Sequence, residues 1–403
     1  MIADGVQLQR QDGTSCRGRL KLLFVLPSLG GGGAERATLD LLGGISRDRF
    51  APSLAVFSHS GRFARQVPPD VQVYDLRGRR QWDARLVWRL SRLLRRERPD
   101  IVLSVLRYAN FVTLLARPVS GVHTHVVVNE QNLPSAEFAA FGGATLKGWG
   151  LTKLYPTADL VTAISHGIAQ ELVSRYGLRA AKVQVIYNPV DLARVRALAD
   201  EPPRHAWLQP GPAASTMPVL IAVGRLHPQK GFHYLIQAFA LVRKVRPCRL
   251  LILGEGPNRA DLEKLVLELG LGDDVALPGF DENPYSAMHH ATAFVLSSLY
   301  EGFGNVLVEA LAVGTPVIST RCPVGPDEII ADGVTGLLVP PADVQALAQA
   351  MLTVLGDSEL QRHLSANGPG RAADFPLERC VAQYESALEQ LLDRPRSEHD
   401  ATR

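Results

Sequence analysis

Tyr300-Glu301-Gly302-Phe303-Gly304-Asn305-Val306-Leu307-Val308-Glu309 follows a short apolar run, residues 293–296, and leads into an apolar segment that stops before Gly314. The run before it has the length and composition of a buried strand. Residues 305–312 read as a helix opened by a glycine-bearing turn. A strand, a glycine turn and a helix in that order present first-turn N–H groups and the positive end of a helix dipole, which suit phosphate oxygens. Glu309 falls about a turn into this helix, where a carboxylate can accept hydrogen bonds from a ribose. Glu301 lies in the turn itself and can reach another hydroxylated group. Two glutamates on a solvated turn and helix are the plainer reading of the same spacing. The neighbouring motifs favour a nucleotide-sugar site.

Working outward, strand-like and helix-like patterns alternate along the whole chain, as expected of parallel sheets covered by helices. Strands are expected at 20–26, 53–57, 71–74, 101–105, 125–129, 160–163 and 183–186. A second series follows at 219–223, 249–253, 275–277, 293–296, 316–319 and 336–339. Between Glu201 and Pro218 the pattern gives way to Pro, Gly, Ala and Ser, the best linker candidate. The expected organisation is a tail at 1–19, a first domain at 20–200, a linker at 201–217 and a second domain at 218–370. A final segment, 371–403, carries a helix expected to pack back toward the first domain. Two open α/β sheets set edge to edge enclose a cleft at the carboxyl ends of their strands.

Length and composition agree with two soluble domains: 403 residues, 46% hydrophobic and 21% charged. No apolar run approaches the ~18 residues of a membrane span, and residues 1–19 lack the apolar core of a signal peptide. The four cysteines (Cys16, Cys248, Cys322, Cys380) show neither zinc-site nor disulfide spacing. A cytoplasmic location fits. The net charge of +3 hides an asymmetry: residues 1–190 hold 25 Lys+Arg against 14 Asp+Glu, and the remainder 18 against 26. The first half therefore carries +11 and faces something anionic.

Three more motifs carry chemistry. Gly30-Gly31-Gly32-Gly33-Ala34-Glu35-Arg36 lies between the first strand and its helix, where Gly31, Gly32 and Gly33 allow a ligand close to the backbone. It lacks the Lys-Ser/Thr ending of a nucleoside-triphosphate loop. Gly224-Arg225-Leu226-His227-Pro228-Gln229-Lys230-Gly231 takes the corresponding place in the second half. There Arg225 and Lys230 can converge on a diphosphate and stabilise it as it gains charge on leaving. Gly254 in Gly254-Glu255-Gly256-Pro257 and Phe280 in Pro278-Gly279-Phe280 end further strands. They either shape the nucleotide pocket, with Phe280 near the base, or are plain turns.

Gly-Arg-Leu-x-x-x-Lys-Gly, Gly-x-Gly-Pro, Glu-Gly-Phe-Gly-Asn-Val-x-x-Glu-Ala and Gly-Thr-Pro-Val, in that order, resemble the retaining family 4 glycosyltransferases. The likeness runs from about Leu20 to Leu392. It implies an α/β fold of two Rossmann-like domains facing a cleft (GT-B). It also implies that Arg225 and Lys230 bind the donor diphosphate, Glu309 the ribose and Glu301 the transferred sugar. The backbone of Phe303, Gly304, Asn305 and Val306 would meet the donor, with the glycine turn across the cleft. By the same likeness no metal or other cofactor is expected, and no Asp-x-Asp is present to hold one. Retention is attributed in that family to same-face attack.

The first half resembles members that transfer N-acetylhexosamine or hexose onto lipid-linked or cell-surface glycans. The features are Gly32–Arg36, Arg107-Tyr108-Ala109-Asn110, Asn129-Glu130-Gln131-Asn132 and Cys322–Glu328. They make Arg107, Asn110, Glu130 and Gln131 acceptor-side candidates, although many members place a His where Gln131 aligns. The implied donor is a nucleotide-sugar, most simply a uridine diphosphate sugar, and the implied acceptor a glycan or lipid-linked intermediate. A sugar-nucleotide epimerase or phosphorylase on the same fold, and a non-catalytic sugar-nucleotide-binding scaffold, are the alternatives.

Residues 77–98 hold nine arginines and two acidic residues, with Arg85, Arg89, Arg92 and Arg96 on one helical face and Trp82 and Trp88 interleaved. Phe138, Phe141, Leu146, Trp149 and Leu151, near Lys147 and Lys153, form a second apolar-basic stretch that can meet a lipid-linked acceptor. Such a basic helix either meets an anionic membrane surface, at the inner face of the cell membrane, or simply packs on the sheet with arginines in solvent. Nucleic acid is not expected, since no binding motif accompanies the charge.

Overall fold

In the computed structural model, residues 18–78, 83–141, 144–209 and 217–393 are described, without the side chains of 140–147. Two parallel sheets form. The first contains β1 (Leu20–Leu26), β2 (Phe50–Val56), β3 (Gln72–Asp75), β4 (Ile101–Val105), β5 (His125–Glu130), β6 (Leu160–Ala163) and β7 (Val183–Val185). Their spatial order is β3-β2-β1-β4-β5-β6-β7. The second contains β8 (Val219–Val223), β9 (Arg249–Leu253), β10 (Val275–Gly279), β11 (Ala293–Leu296), β12 (Val317–Thr320) and β13 (Leu337–Val339), in the order β10-β9-β8-β11-β12-β13. Residues 22–26 of β1 and all of β4 are buried. Their continuous apolar sequences suit strands covered by helices on both faces.

Each sheet reverses strand order once, between β1 and β4 and between β8 and β11. The loops leaving those strands diverge there and leave a crevice. The glycine turn after β1, Arg107–Asn110 after β4, the Gly224–Gly231 turn after β8 and the Glu301–Glu309 stretch after β11 all leave strands that flank these two reversals. The second reversal is flanked by Gly224–Lys230 on one side and Ser297–Asn305 on the other.

The chain crosses between the domains more than once. Helix Leu377–Asp393 packs against helix Gly33–Gly44 of the first domain, where a Cβ on Gly44 would stand 2.7 Å from the Val381 side chain. Glu385 accepts from the Ser46 N–H at 2.7 Å and pairs with Arg49, which also meets Glu389 at 2.9 Å. The chain entering the second sheet is held from within it: Asn283, the N-cap of helix Pro284–His290 between β10 and β11, donates to Glu201 at 2.9 Å and to the Leu198 carbonyl at 2.8 Å. Of the linker, residues 210–216 lie outside the described residues, as do residues 1–17 of the tail and Arg79, Arg80 and Trp82 of the basic run. The side chains of Phe141, Leu146 and Lys147 do so too.

Candidate active site

The turn after β8 is built to aim Lys230. His227 opens a short 3-10 turn, Pro228–Lys230, and its Nδ1 accepts from the Gln229 N–H at 3.4 Å. Burial, then Arg225 and Lys230, lower the His227 pKa, which favours the neutral ring that can accept this bond. Gly231 ends the turn at φ +61, with the Ser297 carbonyl oxygen only 2.2 Å from where a Cβ would stand. Only glycine fits both constraints. Ser297 donates to the Lys230 carbonyl at 2.8 Å, and Gln229 donates to the Tyr300 carbonyl at 2.9 Å. The loops on either side of the strand reversal are thus stitched together. Their product is the Lys230 ammonium 2.5 Å from Glu301 Oε1, an oxygen that also accepts from Ser298 Oγ at 2.6 Å. Glu301 is buried and Lys230 partly exposed toward the cleft.

Arg225 is exposed and faces the first domain, where its charge acts on Glu35. This changes the reading of the glycine turn. The Glu35 carboxylate accepts from the Gly32 N–H and its own, and a Cβ on Gly32 would lie 2.6 Å from Glu35 Oε2. Gly32 makes room for a carboxylate of this chain, so its N–H is not presented to a ligand as expected. Burial raises the Glu35 pKa, opposed by those N–H groups and by Arg225. Phe280 does reach the cleft beside Gly31, yet the Arg62 guanidinium covers one face of its ring at 4.1 Å. Gly254, at φ +146, brings β9 against the Gly224 carbonyl, 1.8 Å from an added Cβ. Its task is to close the strand ends.

Helix Asn305–Ala312 starts from Gly304 at φ +103 with no side-chain cap, which leaves the Asn305 and Val306 N–H groups at a positive dipole end. The Phe303 side chain is buried and stacks on Tyr187 at 5.1 Å, so only its backbone can meet a ligand. Glu309 sits among groups from both domains. Its carboxyl is pushed up to about 7 by burial and by Asp40, against Arg194, Arg36 and Lys230. Asp40 is itself raised to about 6 by burial, even with Arg194 at 3.2 Å and Arg36 at 3.9 Å. Neither Asp40 nor Arg194 stands out in the sequence; each is an ordinary charged residue on a helix.

All four acceptor-side candidates are buried. Leu106, at φ +75, turns the chain sharply after β4 and sends Arg107 inward. Arg107 grips Glu130 with two bonds, at 2.9 and 3.2 Å, and meets Glu137 at 3.0 Å. Tyr155 donates to Glu130 at 2.7 Å, and Asn110 donates to Tyr155 at 2.9 Å while accepting from Ser104 at 2.8 Å. Arg107, Asn110 and Glu130 are buried in this network. They shape the wall of the first domain and leave no surface for an acceptor. Gln131 is likewise buried, paired reciprocally with Asn188 at 2.9 and 3.0 Å. Asn188, which the sequence reading passed over, follows β7 and also donates to Asn305 Oδ1 at 3.2 Å. A polar residue just past a strand's carboxyl end was the available signal.

Two further contacts hold the cleft closed. A Cβ on Gly302 would stand 2.0 Å from the Gln131 carbonyl oxygen, so the Glu301–Phe303 loop rests directly on the first domain's backbone. Glu328 accepts from the His166 and Gly167 N–H groups at 3.0 and 3.1 Å and from Tyr187 Oη at 3.0 Å. A carboxylate of the second domain therefore occupies the N-terminus of a first-domain helix, His166–Ser174, where the dipole favours it. The Cys322–Glu328 motif acts here.

Sequence and structure comparisons agree with this fold. Residues 31–194 match the model of Glycosyltransferase Family 4, and residues 204–371 that of Glycosyl transferases group 1. Over 367 residues, 88% of this chain and 95% of the relative, the chain is 30% identical to a Campylobacter jejuni enzyme. That enzyme is N-acetylgalactosamine-N,N'-diacetylbacillosaminyl-diphospho-undecaprenol 4-alpha-N-acetylgalactosaminyltransferase. A Rhizobium meliloti lipopolysaccharide core biosynthesis glycosyltransferase, LpsE, is 34% identical over 225 residues, 53% of this chain and 61% of its own. The crystal structure of Anabaena HepE in complex with UDP and glucose superposes with a TM-score of 0.80 at 23% identity, covering 92% of this chain and all of that one.

Proposed function

The chain belongs to the family 4 glycosyltransferases, and from that membership we propose that it moves a hexose or N-acetylhexosamine, with retention, from a uridine diphosphate sugar to a membrane-associated glycan or glycolipid intermediate. The observation that carries this reading is the Lys230–Glu301 pair at the strand reversal, beside an uncapped helix start and opposite the glycine turn. Lys230 and Arg225 meet the diphosphate and take the charge-neutralising role a metal ion would otherwise fill. Glu301 accepts from hydroxyls of the sugar, and Glu309 from the ribose. The acceptor hydroxyl enters on the face the leaving group departs from. The anomeric carbon–phosphate oxygen bond breaks, the bond to the acceptor oxygen forms, and the acceptor's proton passes to the departing phosphate oxygen. The C. jejuni relative's undecaprenol-linked substrate and the UDP bound by HepE support the acceptor and donor classes.

Among the described residues no helix is long and apolar enough to cross a membrane. The exposed face of helix Arg85–Glu97 offers another route to the acceptor, with a different residue set from the one expected. Arg89 is tied to the Leu76 and Arg77 carbonyls, and Arg96 pairs with Glu97 at 2.6 Å. Arg85, Trp88 and Arg92 remain on one face, Trp88 54% exposed with Arg92 4.7 Å over its ring. Arg95, a turn on, holds the Val119 carbonyl, so exposed Val119 borders the same face. Each basic residue at an anionic bilayer contributes about 1 kcal/mol and is screened by salt.

One assay tests both parts. The purified protein receives a panel of nucleotide-sugars with a polyprenyl-diphosphate glycan in anionic liposomes, or with a soluble acceptor analogue. Transfer from a UDP-sugar with retained configuration is expected. Turnover confined to another nucleotide, inversion, or mere interconversion of the free sugar nucleotide overturns the corresponding part. Changing Arg85 and Arg92 to Gln and Trp88 to Ala lowers liposome binding and transfer there, while soluble-acceptor activity persists. Equal liposome binding by variant and wild type at low salt removes the membrane role.

The glutamates separate by ligand and by pH. Glu309→Ala weakens UDP binding, whereas Glu301→Ala spares it and impairs transfer. An ionised acceptor makes hydrogen bonds stronger by about 1 kcal/mol than a neutral one, so UDP affinity falls roughly five-fold as Glu309 protonates below about 7. The stability effect has the opposite sign. A carboxyl raised from 4.5 to about 7 makes the folded chain bind the proton more tightly, so its contribution to stability is lost as pH rises through that window. Calorimetric titration of UDP between pH 5.5 and 8.5 checks the first; a flat profile assigns the ribose to another group.

A further inference from the structure

Four side-chain amides run in line from the core of the first domain to the first residue of the second domain's ligand-facing helix. Asn129 donates to Thr162 Oγ1 and Tyr384 Oη, both at 2.9 Å. Its Oδ1 accepts from Gln131 Nε2 at 2.5 Å. Gln131 and Asn188 exchange two bonds, and Asn188 Nδ2 reaches across to Asn305 Oδ1 at 3.2 Å. The first three are buried; Asn305 is partly exposed in the cleft.

An amide has one oxygen and one NH2 group, so fixing one end dictates what the other presents. With its oxygen committed to Asn188, Asn305 turns Nδ2 toward the glycine turn, 4.0 Å from where a Cβ on Gly33 would be. That point lies where the ligand-facing loops of the two domains converge. Asn188 touches no part of the cleft's ligand space itself. Its neighbour Tyr187 stacks on Phe303, so two successive residues shortly after β7 bear on the candidate donor loop.

We infer that Asn188 is an interdomain positioning residue for sugar transfer: braced by Gln131 it holds the Asn305 amide with N–H toward an oxygen of the transferred sugar, and does so only when the cleft is closed. The inference rests on the transfer reading above. It also accounts for glutamine at position 131. A side chain with both a donor and an acceptor on one terminal group is what a reciprocal pair with Asn188 requires, and an imidazole cannot exchange two bonds with one amide.

The test compares Asn188→Ala, Asn305→Ala, Asn305→Asp and the double alanine variant. Four readouts are taken: kcat, donor KM, UDP affinity, and hydrogen exchange of a peptide spanning residues 303–310. Asn188→Ala should lower kcat about ten-fold and leave UDP affinity within two-fold. Peptide 303–310 should exchange faster, and the double variant should be no slower than the worse single. Asn305→Asp, which still accepts from Asn188 but has no N–H to present, should behave as Asn305→Ala. Multiplicative losses in the double variant, a wild-type rate in Asn305→Asp, or loss of UDP affinity in step with kcat would each overturn the inference. If Asn188→Ala melts early, the two Asn305 variants, at a partly exposed first-turn position, still decide it. If wild-type protein binds UDP yet transfers nothing, the transfer reading fails by itself, and unchanged exchange at 303–310 in Asn188→Ala then separately refutes the positioning role.

Discussion

Lys230→Ala is expected to lower turnover by two to three orders of magnitude. On the proposed reading the ammonium meets the departing diphosphate as it gains negative charge, and losing one preorganised partner of such an anion costs roughly 3–4 kcal/mol. The pair with Glu301 adds a second consequence. Without Lys230, the buried Glu301 carboxylate keeps only Ser298 on that oxygen, so the variant should also melt earlier. Lys230→Arg should not restore the rate. The lysine stem runs along Gly224, where an added Cβ would already stand 3.3 Å from it, and a bulkier guanidinium does not fit that track. Turnover near wild type in a folded Lys230→Ala protein would place the developing charge elsewhere.

Gly302→Ala is expected to cost roughly 10²-fold in kcat/KM, the scale of a displacement of about 1 Å at a reacting centre. The reason is not local strain, since Gly302 is absent from the positions at positive φ. A methyl group there would lie 2.0 Å from the Gln131 carbonyl oxygen, so the loop bearing Glu301 must lift off the first domain. Each domain should still fold, and UDP, which the proposed reading places on second-domain residues, should still bind. A normal rate in Gly302→Ala would mean that transfer takes place in a more open arrangement than this one.

The alternation of strands and helices was open to reading because the central strands of both sheets are buried on two faces and plainly apolar. Helix Asn305–Ala312 came out to the residue, since Gly304 and Gly314 bracket it. Strand β2 begins at Phe50, three residues earlier than expected, because Pro52 argues against a strand from sequence alone; it sits in register with Leu22. The candidate site was legible on the second-domain side, where the candidate residues that meet at the strand reversal lie in two short motifs. On the first-domain side it was not. Arg107, Asn110 and Glu130 look ligand-facing because polar residues at strand ends usually are. The left-handed backbone at Leu106, which sends Arg107 inward to Glu130, leaves no mark in a leucine. The partnership of Asn188 with Asn305 spans 117 positions, and no local pattern encodes it.

The return of helix Leu377–Asp393 to the first domain gives the molecule the wiring of an insertion. The second sheet is an insert in a host that begins before it and resumes after it, with Tyr384 bonded to Asn129 and Glu385 to Ser46. Exchanging donor preference between relatives is therefore a two-junction graft. A chimaera cut only near residue 204 would bring a foreign terminal helix to the groove shaped by Gly44, and the mismatch would fall on the host, far from the sugar whose identity was to be changed.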